Sequence, residues 1–267
     1  MDVCLIQSKV GNSKNENLEN IEKAIPYSKN IDLLLFPEFF NSPYDIELYE
    51  VYAEELKDGY CTYDFLKKLS RKIPNTYIIA GSIPERDIET IYNTCTVWKG
   101  GKMINKYRKI HLFDVDQQNF KFCESNFISS GKEPIIVDTP FCKIGLGVCF
   151  DLRFNTLSNY YGLNGCDIIC YPANFSIDTG IKHWELLNRA RAVDTQCYIL
   201  SCSTATNKLL RYQSYGHSII VEPWGNIISI LDSTEDVIYK KIYPNKSQNF
   251  KQVIPVIKNP NFNVLEL

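Results

Sequence analysis

An α/β fold is predicted by three features of the 267-residue sequence. Short β-branched apolar runs alternate with amphipathic stretches, the arrangement that layers helices on sheets. The first such segments form a strand–helix–strand unit. No repeat, low-complexity tract or Pro/Gly/Ser linker interrupts the chain, so residues 1–267 are expected to form one domain, and 45% hydrophobic residues can fill its core.

Taken in order, residues 3–7 predict a strand. Residues 15–29 predict a surface helix with Leu18, Ile21 and Ile25 on one face, and residues 32–36 predict a buried strand. Residues 63–73 repeat the helical pattern through Phe65, Leu66, Leu69 and Ile73. Strands are predicted at 77–83 and 91–98, the second entering a hairpin turn at Lys99-Gly100-Gly101-Lys102. Further strands follow at 143–148 and 167–171, then a long helix at 181–196. Strands at 198–203 and 218–222 come next, and Trp224-Gly225-Asn226 turns the chain into a last one at 227–231. From Asn245 onward the periodicity is weak, which suits a segment packed over the surface or against a partner.

Composition excludes several classes. With 29 basic and 31 acidic residues the formal charge is -2, so neither nucleic acid nor an anionic membrane is an expected partner. No apolar run approaches the roughly 18 residues of a membrane span. The start, Met1-Asp2-Val3-Cys4-Leu5-Ile6-Gln7, lacks the basic and apolar regions of a secretory signal. The 10 cysteines are irregularly spaced, with no Cys-x-x-Cys and no histidine pair at zinc spacing. Reduced thiols in the cytoplasm are expected, most of them packing as small hydrophobes.

Ligands of open α/β sheets gather beyond the carboxyl ends of strands, and three predicted strands end on chemically loaded residues. One delivers Glu38 after Pro37, one delivers Cys149, and one delivers Asn174 and Phe175 after Pro172. Lys109 lies between Arg108 and His111 in a fourth segment. Singly, each has a bland reading: a cysteine after an apolar strand is commonly core filler, a Pro-Glu pair a turn, and a Lys-rich segment surface. The balance shifts at Gly145-Leu146-Gly147, which lets backbone approach closely before Cys149, with Phe150-Asp151-Leu152-Arg153 after it. A thiolate is the reactive form of cysteine and nearby cations favour it. A carboxylate base and a lysine that holds developing negative charge would complete an acyl-transfer site.

Rival motifs are missing. The sequence has no phosphate-binding Gly-x-x-x-x-Gly-Lys-Ser/Thr loop, no third glycine for a dinucleotide fingerprint and no Gly-x-Ser-x-Gly elbow. His111, His183 and His217 allow a Cys–His dyad on paper, but each lies where packing explains it.

The blocks Leu35-Phe36-Pro37-Glu38, Tyr107-Arg108-Lys109-Ile110-His111-Leu112 and Gly145-Leu146-Gly147-Val148-Cys149-Phe150-Asp151-Leu152-Arg153 resemble the signature segments of the nitrilase superfamily of carbon–nitrogen hydrolases. The resemblance continues through Tyr171 to Phe175, His183-Trp184-Glu185, Arg189 to Ala192, Tyr215 to Ser218 and Pro223-Trp224-Gly225. It implies a single-domain α-β-β-α sandwich, commonly paired through one helical face into a homodimer. It also implies Cys149 as nucleophile, Glu38 as general base, Lys109 as oxyanion stabiliser and Glu124 as a second glutamate supporting lysine and substrate. The backbone N–H of Phe150 would face the oxyanion, and no metal or organic cofactor is required. The stretch 116–120 departs from the family by lacking a Pro-Gly pair and being slightly short.

Within the superfamily, Asn41-Ser42-Pro43-Tyr44 is similar to omega-amidases, which hydrolyse the distal amide of the α-keto acids 2-oxoglutaramate and 2-oxosuccinamate. Such a substrate needs a cation at a fixed distance from the thiol, and Arg153 offers a planar fork for its carboxylate; the alternative for Arg153 is a structural ion pair with a neighbouring acid such as Asp151. By the same resemblance Tyr44, Phe175 and Thr179 line the pocket. Two other readings remain. Cys123 to Asn126 and Thr195 to Tyr198 resemble deaminated-glutathione amidases, and a non-catalytic scaffold is opposed by the intact Glu38, Lys109, Glu124 and Cys149. A nitrile-specific enzyme would need no carboxylate clamp.

Overall fold

A computed structural model describes residues 1–117 and 120–256. The chain opens with β1 (Asp2–Gln7), α1 (Lys14–Ala24) and β2 (Leu33–Leu35), and β1 pairs β2 in parallel. The α1 helix is shorter than the 15–29 predicted, because Pro26 holds the preceding Ile25 extended at φ -71°, ψ 122°. Beyond α2 (Tyr49–Tyr52), α3 (Cys61–Lys72) covers the predicted second helix.

The predicted strand over 77–83 is two strands, β3 (Tyr77–Ile79) and β4 (Ile83–Asp87). Gly81 separates them at φ +46°, where an added Cβ would lie 2.0 Å from the Pro37 carbonyl oxygen. The long β5 (Thr90–Lys99) and β6 (Lys102–Arg108) form the predicted hairpin, with Lys99 opposite Lys102. A small hairpin of β7 (Asp114–Gln117) and β8 (Phe120–Cys123) follows, then β9 (Ile136–Asp138) and β10 (Lys143–Leu146). Gln118 and Asn119, within the atypical 116–120 stretch, lie outside the described residues.

After α4 (Asn155–Leu163) come β11 (Ile168–Ala173), α5 (Ile177–Thr195) and β12 (Tyr198–Ser203). The α5 helix begins four residues before the predicted 181 because the Ser176 side chain accepts from the Thr179 N–H and caps it. The chain then forms β13 (Ile219–Val221), β14 (Ile227–Ile230), β15 (Asp236–Lys241) and α6 (Asn245–Val253). The segment that lacked periodicity is thus a helix, held where Ser247 Oγ donates to the Gln196 carbonyl at 2.8 Å.

Two sheets result. One has 7 strands in the order β15-β1-β2-β3-β5-β4, with β6 against β5; the other has 6, in the order β14-β13-β12-β11-β10-β9. Alternation along β1 shows how they stack. Val3 and Leu5 join the core shared with Ile144, Leu146, Ile169 and Leu200 of the second sheet, whereas Cys4 and Ile6 pack with Leu18 and Ile21 of α1 and Leu66 and Leu69 of α3. Both faces of β1 are buried, which is why it reads as a continuous apolar run. On the other side, Leu157 and Tyr161 of α4 and Trp184 and Ala192 of α5 cover the second sheet. The architecture is the α-β-β-α sandwich expected. Among the described residues no helix is long and apolar enough to cross a membrane.

Gly145 and Gly147 admit close approach to the backbone, and what approaches is two aromatic rings. A Cβ on Gly145 would lie 2.5 Å from Cγ of Tyr161, and one on Gly147 2.5 Å from Cε1 of Tyr171. The glycines seat two buried rings against β10, and that packing fixes the strand end carrying Cys149.

Candidate active site

Glu38 and Cys149, expected at strand ends, meet Lys109 and Glu124. Glu38 follows β2, Lys109 follows β6, Glu124 follows β8 and Cys149 follows β10. Glu38, Lys109 and Glu124 are each 0% exposed, and Cys149 is 6% exposed. Lys109 Nζ donates to Glu38 Oε1 at 3.2 Å and to Glu124 Oε2 at 2.9 Å. Glu124 Oε2 also accepts from the Phe113 backbone N–H at 2.7 Å, and Asn93 Nδ2 donates to Glu38 Oε1 at 2.8 Å. Among the described residues Glu124 Oε1 is buried with no hydrogen-bond donor, and Glu38 Oε2 is left to the Cys149 thiol.

Two buried carboxylates around one ammonium set the electrostatics. Burial pushes the Glu38 carboxyl up to about 7 and Glu124 adds to this, against the pull of Lys109, Cys149 and Asn93. Burial would lower the Lys109 ammonium, but Glu124, Glu38 and Cys149 outweigh it, and the lysine stays firmly charged. Burial, followed by the Glu38 charge, pushes the Cys149 thiol well above its ordinary range, while Lys109 and the Asn174 backbone N–H favour the thiolate. The resting pair is therefore a protonated thiol beside a carboxylate poised near neutrality, as a general base requires. Cys149 itself has a φ of 48°, a left-handed conformation costing about 1–3 kcal/mol for a non-glycine residue.

That conformation is held by a network under the turn at 149–153. Asp151 Oδ1 accepts from the backbone N–H of His111 at 2.9 Å and from its ring Nδ1 at 2.7 Å. Asp151 Oδ2 accepts from Tyr107 Oη at 2.7 Å and from the Val148 N–H at 2.8 Å. Asp151 is thus committed to the turn and makes no ion pair with Arg153, so that alternative is overturned. The reason is directional: its side chain points back under the turn, and the Arg153 side chain runs along the pocket.

The pocket above the thiol spans about 230 Å³, part of it open to solvent, and is lined by Tyr44, Cys149, Phe150, Arg153, Phe175 and Thr179, every pocket residue expected, together with Phe113 and Tyr212. Tyr44 and Tyr212 meet with ring centroids 4.5 Å apart, and Tyr212 Oη donates to the Asn174 carbonyl at 2.7 Å. A more open groove of about 840 Å³ runs past Lys106, Arg108 and Lys132, but Glu85 and Asp87 already pair Lys106 and Arg108. Among the described residues no group of His, Cys, Asp and Glu is placed to hold a metal ion.

Sequence reasoning missed Asn93, the Tyr107–Asp151–His111 network and Tyr212. Asn93 and Tyr107 sit on strands distant in sequence from the residues they serve, so no local spacing could reveal them. Asp151 was visible as a carboxylate two residues from Cys149, but its partners were not.

Residues 3–252 match the model of the carbon-nitrogen hydrolase family. The omega-amidase NIT2 of Mus musculus is 40% identical over 264 residues, spanning 96% of this chain and 93% of that protein. The chloroplastic omega-amidase of Arabidopsis thaliana is 40% identical over 248 residues, 90% of this chain and 67% of that protein. Among solved structures, Nit3 of Saccharomyces cerevisiae, described as a member of branch 10 of the nitrilase superfamily, superposes with a TM-score of 0.88 at 35% identity, covering 98% of this chain and 97% of that one. The fold, the convergence of Glu38, Lys109 and Cys149, and these likenesses agree that the chain belongs to the carbon–nitrogen hydrolase family of the nitrilase superfamily.

Proposed function

We propose that the protein is an omega-amidase, releasing ammonia from the distal amide of small α-keto acids such as 2-oxoglutaramate and 2-oxosuccinamate. One observation carries the substrate class. Arg153 lines the same 230 Å³ pocket as Cys149 and has no carboxylate partner among the described residues, leaving its fork available to a substrate carboxylate. The omega-amidase relatives support this reading.

In the proposed reaction Cys149 Sγ attacks the amide carbon as Glu38 takes the thiol proton. Negative charge gathers on the carbonyl oxygen, where Lys109 and the Phe150 N–H stabilise it, a preorganised donor being worth about 3 kcal/mol. The tetrahedral intermediate collapses, the C–N bond breaks and ammonia leaves with the proton returned by Glu38. Water deprotonated by Glu38 then cleaves the thioester, giving the acid and regenerating the thiol. Glu124 holds Lys109 in place, and Tyr44, Phe175 and Thr179 enclose the substrate chain; no cofactor enters any step.

The purified protein is expected to release ammonia from 2-oxoglutaramate, and Cys149→Ala to abolish it. Retained turnover in that variant removes the mechanism, and no turnover with any ω-amide favours a scaffold. Deaminated glutathione is the competing substrate. The Tyr44–Tyr212 contact closing a small pocket favours the shorter acid, so its kcat/KM should be the larger. We place the protein in the cytoplasm as a homodimer, paired through the α5 face that exposes Ile181 at 68% and Leu186 at 64%.

A further inference from the structure

His183 shares the Arg153 end of the pocket and has no part in the chemistry above. Its ring Nδ1 lies 3.4 Å from both Nη1 and Nη2 of Arg153. A guanidinium has five N–H donors and no acceptor, so Nδ1 must be the unprotonated nitrogen and the proton sits on Nε2. Arg153 is otherwise bounded by rings, with its Cζ 5.0 Å from the Phe175 centroid and 5.8 Å from that of Phe150. His183 is therefore the polar group that fixes the rotation of the fork.

The helix carrying His183 is itself fastened to the Cys149 turn. Arg191, also on α5, donates through Nε to the Leu152 carbonyl at 2.9 Å and through Nη2 to the Arg153 carbonyl at 3.0 Å. One helix thus holds the backbone of Arg153 with one residue and its guanidinium with another. The distance between thiol and cation, which selects the length of an ω-amide acid, depends on both.

We propose that His183 is a positioning and specificity-determining residue: as a neutral imidazole it holds the Arg153 guanidinium in the orientation that receives the substrate carboxylate. This rests on the substrate class proposed above. The charged groups acting on the ring are Arg153, from the turn, and Lys182, from its own helix, both cations; on the far side of Arg153 stand Cys149 and Tyr212. Burial, then Arg153 and Lys182, lower the His183 pKa, so the ring is neutral at pH 7. Protonation on acidification removes the acceptor and sets cation against cation, releasing the fork.

The experiment is steady-state kinetics on 2-oxoglutaramate, from pH 5.5 to 8, with wild type, His183→Ala, His183→Asn, Arg153→Ala and the double alanine variant. His183→Ala is expected to raise KM about tenfold with little change in kcat, the loss of one hydrogen bond to a charged group. His183→Asn, whose amide oxygen takes the place of Nδ1, should recover KM at pH 7.5. It should also hold that KM as the pH falls, where the wild type weakens. In the Arg153→Ala background, His183→Ala should add no further rise, because it acts through the guanidinium. If Arg153→Ala raises KM and His183→Ala does not, the inference is overturned and the proposed substrate class stands. If neither variant alters KM, the carboxylate clamp fails and the inference falls with it. A fall in kcat shared by the Ala and Asn variants would mark a merely structural histidine and also overturns it.

Discussion

Glu38→Gln should make the protein inactive and more stable above neutrality. Glu38, Lys109 and Glu124 are wholly buried and share one ammonium between two carboxylates. With both carboxyls ionised the trio carries a net negative charge, and among the described residues no second cation pairs with either carboxylate. Glu38 carries the strain, its carboxyl being pushed from 4.5 up to about 7 chiefly by burial. The folded protein therefore binds the Glu38 proton more tightly than the unfolded chain does. Stability contributed at this residue is intact below pH 4.5, falls as the pH rises toward 7, and is fully lost above 7.

At about 1.4 kcal/mol per pH unit, ionised Glu38 weighs roughly 3 kcal/mol against the fold at pH 8. Glutamine keeps the shape and an acceptor for Asn93 and Lys109 but must still be desolvated, leaving a net gain of about 2 kcal/mol. Urea unfolding followed by intrinsic fluorescence, at pH 5 and pH 8, measures it. At pH 8 the midpoint of the variant should exceed that of the wild type by about half a molar or more, and at pH 5 the two should nearly coincide. A variant no more stable than wild type at pH 8, or equally favoured at both pH values, would refute the charge argument.

Two further substitutions probe the support of the nucleophile. In Asp151→Asn the new NH₂ must face either the Val148 or the His111 backbone N–H, neither of which can turn into an acceptor. One buried donor is orphaned at about 1–3 kcal/mol, so thermal unfolding should come earlier and kcat should fall as the Cys149 turn loosens. An unchanged kcat would show that the network serves stability alone. Gly145→Ala drives a methyl to 2.5 Å from the buried Tyr161 ring. It should lower the melting temperature in calorimetry by several degrees, an overpacking cost of about 1–3 kcal/mol; an unshifted transition would mean the ring can yield.

The parts that were legible in sequence were those written in local pattern. The β1–α1–β2 unit, the 99–102 hairpin and α5 follow from residue periodicity and turn chemistry, with errors where Pro26 and Gly81 stop an element early and where Ser176 starts one. Strand β15 was not legible, because its alternation is weak and it exists by pairing with β1 across more than two hundred residues. The glycines at 145 and 147 were visible as points of close approach, but what approaches was not, since only the packed chain brings the rings of Tyr161 and Tyr171 there.

The functional residues divide in the same way. Sequence alone determined which side chains could do chemistry and that Glu38 and Cys149 follow strands, because residue identity and two-residue alternation are local properties. It could not determine which groups share a proton or a charge. The convergence of Glu38, Lys109, Glu124 and Cys149, and the commitment of Asp151 to His111 and Tyr107, depend on strands from two stacked sheets and from the β7–β8 hairpin ending at one place. So does the freedom of Arg153 to face His183 and the pocket. Burial is what turns that proximity into chemistry, raising the Glu38 carboxyl to about 7, and burial is a property of the whole packed chain.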